Sequence, residues 1–517
     1  MRPRLLQWGG GLLVIGTLHA PAFAATSEQA RCAALAQFQA PGISLQISAA
    51  ALQPAGTLPG MPGAAPVAVP AHCRVDGQFD ARTGTDGKPY AIRFAVAMPV
   101  QWNGRFLMQG GGGLNGSVGA PLGATAAGDQ NALARGFAVA STDSGHAGSV
   151  FDGAFFADQQ AALDFLYQAV PKVTAVAKQV VKGYYGSSAH HAYFVGCSTG
   201  GREAMMMSQR FPDYFDGIVA GAPAMRTNFS NLGLRWVATA LNGVAPRDPK
   251  GMPQTRLALS DNDRKLIIDG VLAACDAQDG AKDGLVFAPQ SCGFDPATLS
   301  CKGGTKTEGC LTAAQIEAVK KAMAGPKTAD GRQVYPGFLY DTGIATTRGL
   351  PGPLAGPMIP EGAPAGMSID VDAESARAND ARSMVGDTHA WTNLGTFRDR
   401  GGKLIFFHGV SDPWFSAIDT LQYYERLAKD SPAPIQDWSR LFLVPGMGHC
   451  SGGEATLDRF DMVDAIVKWV EQRQAPDAVI ATGASMPGQS RPLCPVPKVT
   501  RYGGSGDASS AASYRCE

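Results

Sequence analysis

Gly196-Cys197-Ser198-Thr199-Gly200 constrains this chain more than any other stretch. It follows the apolar run Ala192-Tyr193-Phe194-Val195 and leads into Arg202-Glu203-Ala204-Met205-Met206-Met207, which reads as a helix. A strand can turn into a helix within so few residues only if the tightest points carry no side chain, and the flanking glycines meet that need. The serine between them then stands on a sharp turn with its hydroxyl exposed at the sheet edge, near backbone N–H groups able to hold an oxyanion. A plain glycine-rich turn would use the same five residues, so the rest of the chain must decide.

With 517 residues the chain can build two or three domains, or one large core with a sizeable insertion. Lys+Arg and Asp+Glu are equal at 44, and no basic run stands out that could track phosphates or an anionic bilayer, which argues against nucleic-acid and membrane partners. The N-terminus reads as a cleaved secretory leader over 1–24: basic Met1 to Arg4, an apolar stretch around Gly10 to Thr17, then Ala22-Phe23-Ala24. That stretch is well short of the ~20 residues a membrane span needs. The expectation is a soluble protein, secreted or periplasmic, whose ten cysteines can oxidise.

Residues 25–78 carry Cys32 and Cys73 around a Pro/Gly/Ala-rich stretch and read as an N-terminal arm. Strand-like runs follow at Ala91 to Met98, Arg105 to Gln109 and Phe137 to Thr142, then a helical period from Gln159 to Lys182. Strands alternating with helices imply an α/β fold with a mostly parallel sheet, whose first part spans 79–224. Over 225–396 the pattern gives way to Gly/Pro-rich and polar segments, which reads as an inserted lid domain. Lys403 to Phe407 and Leu441 to Val444 resume the core strands over 397–517, with a last helix at Met462 to Gln472.

An α/β-hydrolase core presents Ser, then an acid, then His, each just past a strand. Asp412, in His408-Gly409-Val410-Ser411-Asp412, and His449, in Pro445-Gly446-Met447-Gly448-His449, occupy those places. Among eight histidines the competitor is His146, which also follows a strand but precedes the serine; His408 reads as a residue buried behind Asp412. Cys197 adjoins Ser198 and Cys450 adjoins His449, so a serine and histidine in mutual reach would bring the two cysteines within disulfide distance. Gly110-Gly111-Gly112-Gly113 follows the strand ending at Gln109 and, with the N–H of Thr199, is expected to form the oxyanion hole, Gly113 supplying the second donor and Gly112 touching substrate. Asp276, Asp279 and Asp283, spaced among glycines, offer hard oxygen donors that suit Ca²⁺ in a loop that is not an EF-hand; a plain Asp/Gly turn uses the same residues.

With these residues in place the chain resembles the tannase and feruloyl esterase family, whose hallmark is a triad with a disulfide joining the neighbours of its Ser and His. The resemblance runs over nearly all of the mature chain, through Gly200-Gly201-Arg202-Glu203, Gln209-Arg210-Phe211-Pro212, Phe215 to Pro223 and Asp458 to Met462. It implies hydrolysis of an aromatic ester through an acyl-enzyme, a lid over the site, and a structural calcium held by Asp276, Asp279 and Asp283 with the carbonyls of Ala281 and Leu285. It also implies the pairings Cys32–Cys73, Cys275–Cys292, Cys301–Cys310 and Cys494–Cys516. Phe415 matches a pocket phenylalanine of the terephthalate-monoester members, and Met225 stands where those have an aromatic residue. The lid from about Tyr335 to Ala390 is shorter than theirs and has no counterpart of the stretch that supplies their carboxylate-clamping arginine. A feruloyl-type serine esterase is the leading expectation, with terephthalate-monoester hydrolase or tannase activity as alternatives within the family and a catalytically silent binding protein as the alternative outside it.

Overall fold

The computed structural model describes residues 20–59, 66–348, 350–356 and 368–517. The leader expected over 1–24 lies mostly outside them. Among the described residues no helix is long and apolar enough to cross a membrane.

A nine-stranded sheet forms the centre. Its strands in chain order are β1 (Gln46–Gln53), β2 (His72–Thr83), β3 (Pro89–Pro99), β4 (Arg105–Gln109), β5 (Ala138–Thr142), β6 (His191–Cys197), β7 (Gly217–Gly221), β8 (Lys403–Gly409) and β9 (Ser439–Val444). They lie in the order β1-β2-β3-β5-β4-β6-β7-β8-β9. From β5 to β9 every pairing is parallel, whereas β1, β2, β3 and β5 pair antiparallel. The parallel strands read as unbroken apolar runs because both faces are covered. Within β6, Phe194 packs into one cluster with Phe106, Met205 and Phe406, while Tyr193 and Val195 pack into the other with Ile405, Phe442 and Ile466. Such alternation is the two-residue period of a strand dividing its side chains between two cores. Helices α1 (Ala169–Tyr185), α2 (Thr199–Arg210) and α3 (Ala417–Asp430) cover the first face, and α4 (Met462–Gln472) covers the second.

Residues 25–78 differ from the expected arm. They contain the end of a helix, Ala20–Ala34, and β1, which pairs with β2 at the sheet edge, while Cys32–Cys73 ties the two together. The expected boundary at 78 cuts β2. The edge strand is Ala-rich and mostly exposed or half-buried, so it leaves only a faint alternation in the sequence. The helical period from Gln159 is also interrupted: Gln159–Leu163 is followed by a wider π turn, Asp164–Gln168, before α1 begins. Pro171, with no N–H to donate, lies in the first turn after the break.

Between β7 and β8 the described residues hold helices rather than strands, among them Thr227–Asn242, Asp261–Cys275 and Ala313–Ala324, packed round a core of their own that includes Val237, Ile267, Val271, Ile316 and Val319. Capping boxes at Ser260/Asp263 and Thr312/Gln315 start two of them. Around and after α4 the chain adds two small antiparallel sheets, Arg459–Phe460, just before α4, with Val479–Thr482 and Ser490–Leu493, and Thr500–Tyr502 with Tyr514–Cys516. Strands of two to four residues are too short to leave a readable alternation.

Candidate active site

Ser198 ends β6 and caps α2 with φ 65° and ψ −124°, a left-handed conformation that costs a non-glycine residue free energy and persists only where neighbours enforce it. Neighbours do so here. The Ser198 N–H donates to the Gly221 carbonyl at 3.0 Å, and its carbonyl accepts from Arg202 and Ala224. A Cβ on Gly196 would lie 2.5 Å from the Gly200 carbonyl carbon, and one on Gly201 2.2 Å from the Gly221 oxygen, so only glycine fits at either point.

The loops after β8 and β9 bring Asp412 and His449 together. His449 Nδ1 donates to Asp412 Oδ2 at 2.7 Å, and Asp412 Oδ1 accepts the N–H groups of Trp414 and Phe415 at 2.8 and 3.1 Å. His408, fully buried, donates from Nε2 to the Phe415 carbonyl and lies 3.5 Å from Asp412 Oδ2. Burial alone would push the Asp412 carboxyl up; the charge of His449 and the hydrogen bonds from both histidines outweigh it and hold the group below the usual carboxylate range. Asp412 is therefore an anion whose remaining lone pairs are occupied, able to orient His449.

Cys197 and Cys450 form a disulfide with a Cα separation of 6.0 Å, joining the residue before Ser198 to the residue after His449. No hydrogen bond joins the Ser198 hydroxyl to His449 in this structure; the disulfide makes their backbones neighbours, and His449 Nε2 lies 3.8 Å from Cys450 Sγ. Such bonds often tighten only when substrate arrives. The other four expected cysteine pairs are also formed: Cys32–Cys73, Cys275–Cys292, Cys301–Cys310 and Cys494–Cys516.

The glycine run lies beside the elbow. Gly110 donates to the Val195 carbonyl and Gly111 to Glu203 Oε2, whereas the N–H groups of Gly112, Gly113 and Thr199 have no protein acceptor among the described residues. Gly112 faces open space, and Gly113 has φ 56° with Val150 against it. Glu203, fully buried, was not assigned a role from sequence. Its two oxygens accept from Gly111 N and from Asn115 Nδ2 at 2.9 and 3.0 Å, so it braces the loop from below. Its position one helical turn beyond the elbow was the available signal.

His146 is not near this pair's bonding network. It is 1% exposed, stacks on Phe155 at 3.7 Å between ring centres, and neither ring nitrogen has a partner in good hydrogen-bond geometry, although the backbones of Leu114 and Ser144 face the ring. Phe415 packs edge-on to His449 at 5.2 Å. Trp414 lies between Phe415 and Phe151, with ring centres 6.1 and 5.8 Å away, and donates from Nε1 to Asn231. Neither Trp414 nor Phe151, which is 58% exposed, was singled out from sequence. Met225, expected to touch substrate, is 2% exposed and packs in the main core cluster, as a methionine filling space does.

At the acidic loop, Asp276 Oδ1 accepts from the N–H groups of Asp283 and Gly284, Asp279 Oδ1 from Ala281, and Asp283 Oδ1 from Leu285, while Asp283 Oδ2 pairs with buried Arg491. Among the described residues no three acidic, histidine or cysteine side chains are gathered closely enough to hold a metal ion. Burial, together with repulsion from the other carboxylates, nevertheless raises Asp276 and pushes Asp279 up to about 6, and oxygen donors in that condition are chemically suited to a hard cation.

Sheet order, elbow and the acid–histidine pair make this an α/β-hydrolase, and feruloyl esterase B from Aspergillus oryzae superposes with a TM-score of 0.76 at 26% identity, covering 95% of this chain and 100% of that one. The chain belongs to the tannase and feruloyl esterase family, whose model matches residues 73–352 and 366–517. It is 40% identical to the mono(2-hydroxyethyl) terephthalate hydrolase of Piscinibacter sakaiensis over 88% of this chain and 86% of the relative, and 30% identical to feruloyl esterase B of Aspergillus niger over 81% and 82%. It is a carboxylic-ester hydrolase.

Proposed function

We propose that the chain is an exported serine esterase that cleaves esters of aromatic carboxylic acids through Ser198, His449 and Asp412. The observation that carries this reading is the 2.7 Å bond to buried Asp412 from His449, whose own loop is bonded covalently through Cys450 to the neighbour of Ser198. Ser198 Oγ attacks the ester carbonyl carbon while His449 Nε2 takes its proton. The carbonyl electron pair moves to oxygen, where the N–H groups of Thr199 and Gly113 receive it. Collapse expels the alcohol, which leaves with the proton from His449, and water repeats the sequence on the acyl-enzyme to release the acid. Asp412 keeps the imidazole in one tautomer and stabilises its charged form. Ser198→Ala and His449→Ala are expected to lower kcat on a chromogenic ester by three or more orders of magnitude (about 10³-fold or more) with circular dichroism unchanged; substantial turnover by Ser198→Ala would sink the assignment.

The aromatic preference rests on Phe151, Trp414 and Phe415, which offer flat apolar surface beside His449. Methyl ferulate, methyl gallate and mono(2-hydroxyethyl) terephthalate compared side by side test it. The lid lacks the arginine stretch of the monoester hydrolases, so a free ring carboxylate would be desolvated without a bidentate partner. Neutral hydroxycinnamate or benzoate esters should therefore show the higher kcat/KM, and a preference for the terephthalate monoester would refute this. Export is supported by the leader-like N-terminus and five disulfides. A structural calcium held by Asp276, Asp279 and Asp283 with the Ala281 and Leu285 carbonyls is supported by the family resemblance and by three carboxylates sharing one loop, of which Asp279 is buried and, chiefly by that burial, pushed up to about 6.

A further inference from the structure

The inserted segment between β7 and β8 does more than stand over the site, for one of its side chains reaches beneath it. Asp341 is fully buried, and a single oxygen, Oδ2, accepts two hydrogen bonds at 2.7 Å: one from Ser411 Oγ, the other from Gly446 N. Ser411 immediately precedes Asp412, and Gly446 lies three residues before His449. The acid and the histidine therefore sit on two loops that meet at one atom of a third segment. Two residues on, Gly343 donates its N–H to Ser411 Oγ at 3.0 Å. A Cβ on Gly343 would stand 2.6 Å from the Gly446 carbonyl oxygen and 2.7 Å from Ser411 Cβ, so the insertion's backbone is pressed against both loops at once. The other carboxyl oxygen, Oδ1, has no partner in good hydrogen-bond geometry, although the N–H and hydroxyl of Thr342 face the carboxyl group. Burying an acid so completely costs free energy, and what it gains is the junction at Oδ2.

We propose that Asp341 is a positioning residue for catalysis: its Oδ2 sets the loop of Asp412 and the loop of His449 at a fixed distance, making the insertion part of the catalytic frame. It touches no reacting atom. The inference rests on the assignment of Asp412 and His449 as acid and base. Because both donors converge on one oxygen, an amide oxygen in the same place can accept both bonds, with its NH₂ directed to the side of Thr342, whose unpartnered hydroxyl oxygen can accept from it. The role thus requires an acceptor at this point and not a charge.

Steady-state kinetics of four variants on a chromogenic ester test this. Asp341→Asn should retain kcat within about threefold of the parent. Asp341→Ala should lose about 10–100-fold in kcat with KM little changed, the loss expected when reacting groups are displaced on the order of 1 Å. Ser411→Ala, which removes one of the two bonds with little change in volume, should lose several-fold in kcat and keeps the test available if Asp341→Ala does not fold. His449→Ala is the control for the underlying reading. If His449→Ala stays active, the assignment of the base fails. If it is inactive while Asp341→Ala or Ser411→Ala turns over at the parental kcat, or if Asp341→Asn is as impaired as Asp341→Ala, the positioning role is overturned and Asp341 is an ordinary buried acid.

Discussion

At the scale of single residues His146 shows what an unbonded buried imidazole does to a fold. Burial lowers it from 6.5 to about 4. The unfolded chain takes up a proton near 6.5 and the folded chain only near 4, so the folded state loses stability as pH falls through that window and keeps it above. The Leu114 and Ser144 backbones and the charge of Asp152 oppose the lowering without overcoming it, and Arg93 adds to it. His146→Phe keeps a ring against Phe155 and removes two unbonded nitrogens. It should raise stability at pH 7 by about 1–3 kcal/mol and flatten the fall in Tm between pH 6.5 and 4; a variant less stable than the parent at both ends of that range would show that the nitrogens are satisfied after all. The contrast with His449 explains what sequence could decide. That Asp412 and His449 lie on neighbouring loops was legible, because each follows a core strand at the same end of the sheet. The burial of Met225 in the core and the use of Glu203 beneath the glycine loop were not, because both depend on which segments meet in space.

At the scale of elements the strands of the parallel half were legible from their apolar runs, β4 to the residue, because a strand covered on both faces has no polar side to confuse the pattern. Edge strand β1 and the short C-terminal strands were missed, since β1 has no fully buried side chain and the others pair over two to four residues. The lid helices were missed for another reason: their apolar faces meet only each other, yet the capping boxes at Ser260 and Thr312 were readable signals. The elements that matter most for chemistry, the β6–α2 turn and the β9 loop, are far apart in the chain and joined by Cys197–Cys450 across 253 residues. In the chain-entropy account, which is disputed, closing so long a loop is worth about 5 kcal/mol. A Cys197→Ala/Cys450→Ala variant should lose most of its kcat at temperatures where its circular dichroism is still native, and should melt well below the parent. Parental rate and Tm together would mean the loops hold their register without the bond.

For the whole molecule, the acidic loop is where the inserted domain meets the C-terminal sheets. Arg491, whose side chain is fully buried, and Tyr514 both bond to Asp283 Oδ2, and Arg501 donates to the Gln278 carbonyl. If calcium occupies this loop at about a hundred times its Kd, it stabilises the fold by about 2.7 kcal/mol. A chelator should then lower Tm by several degrees and speed proteolysis of the terminal sheet, Thr500–Tyr502 with Tyr514–Cys516, without raising KM as a competitive inhibitor would. An unchanged melting curve, with no calcium by elemental analysis, would leave the loop as an Asp/Gly turn closed by Arg491.

The two hydrogen bonds that Asp341 accepts from the loops of Asp412 and His449 also mark where this molecule can be cut and rejoined. Insertions are the natural parts to exchange when new specificity is sought, and the obvious joints lie at the ends of β7 and β8. A chimaera built at those joints would import a foreign residue under Ser411 and Gly446 along with its new cover. Joints set so that Asp341 to Gly343 stay with the recipient core preserve the frame while the rest of the cover changes. Recombination libraries for this scaffold should treat those three residues as belonging to the sheet they touch and not to the insertion that encodes them.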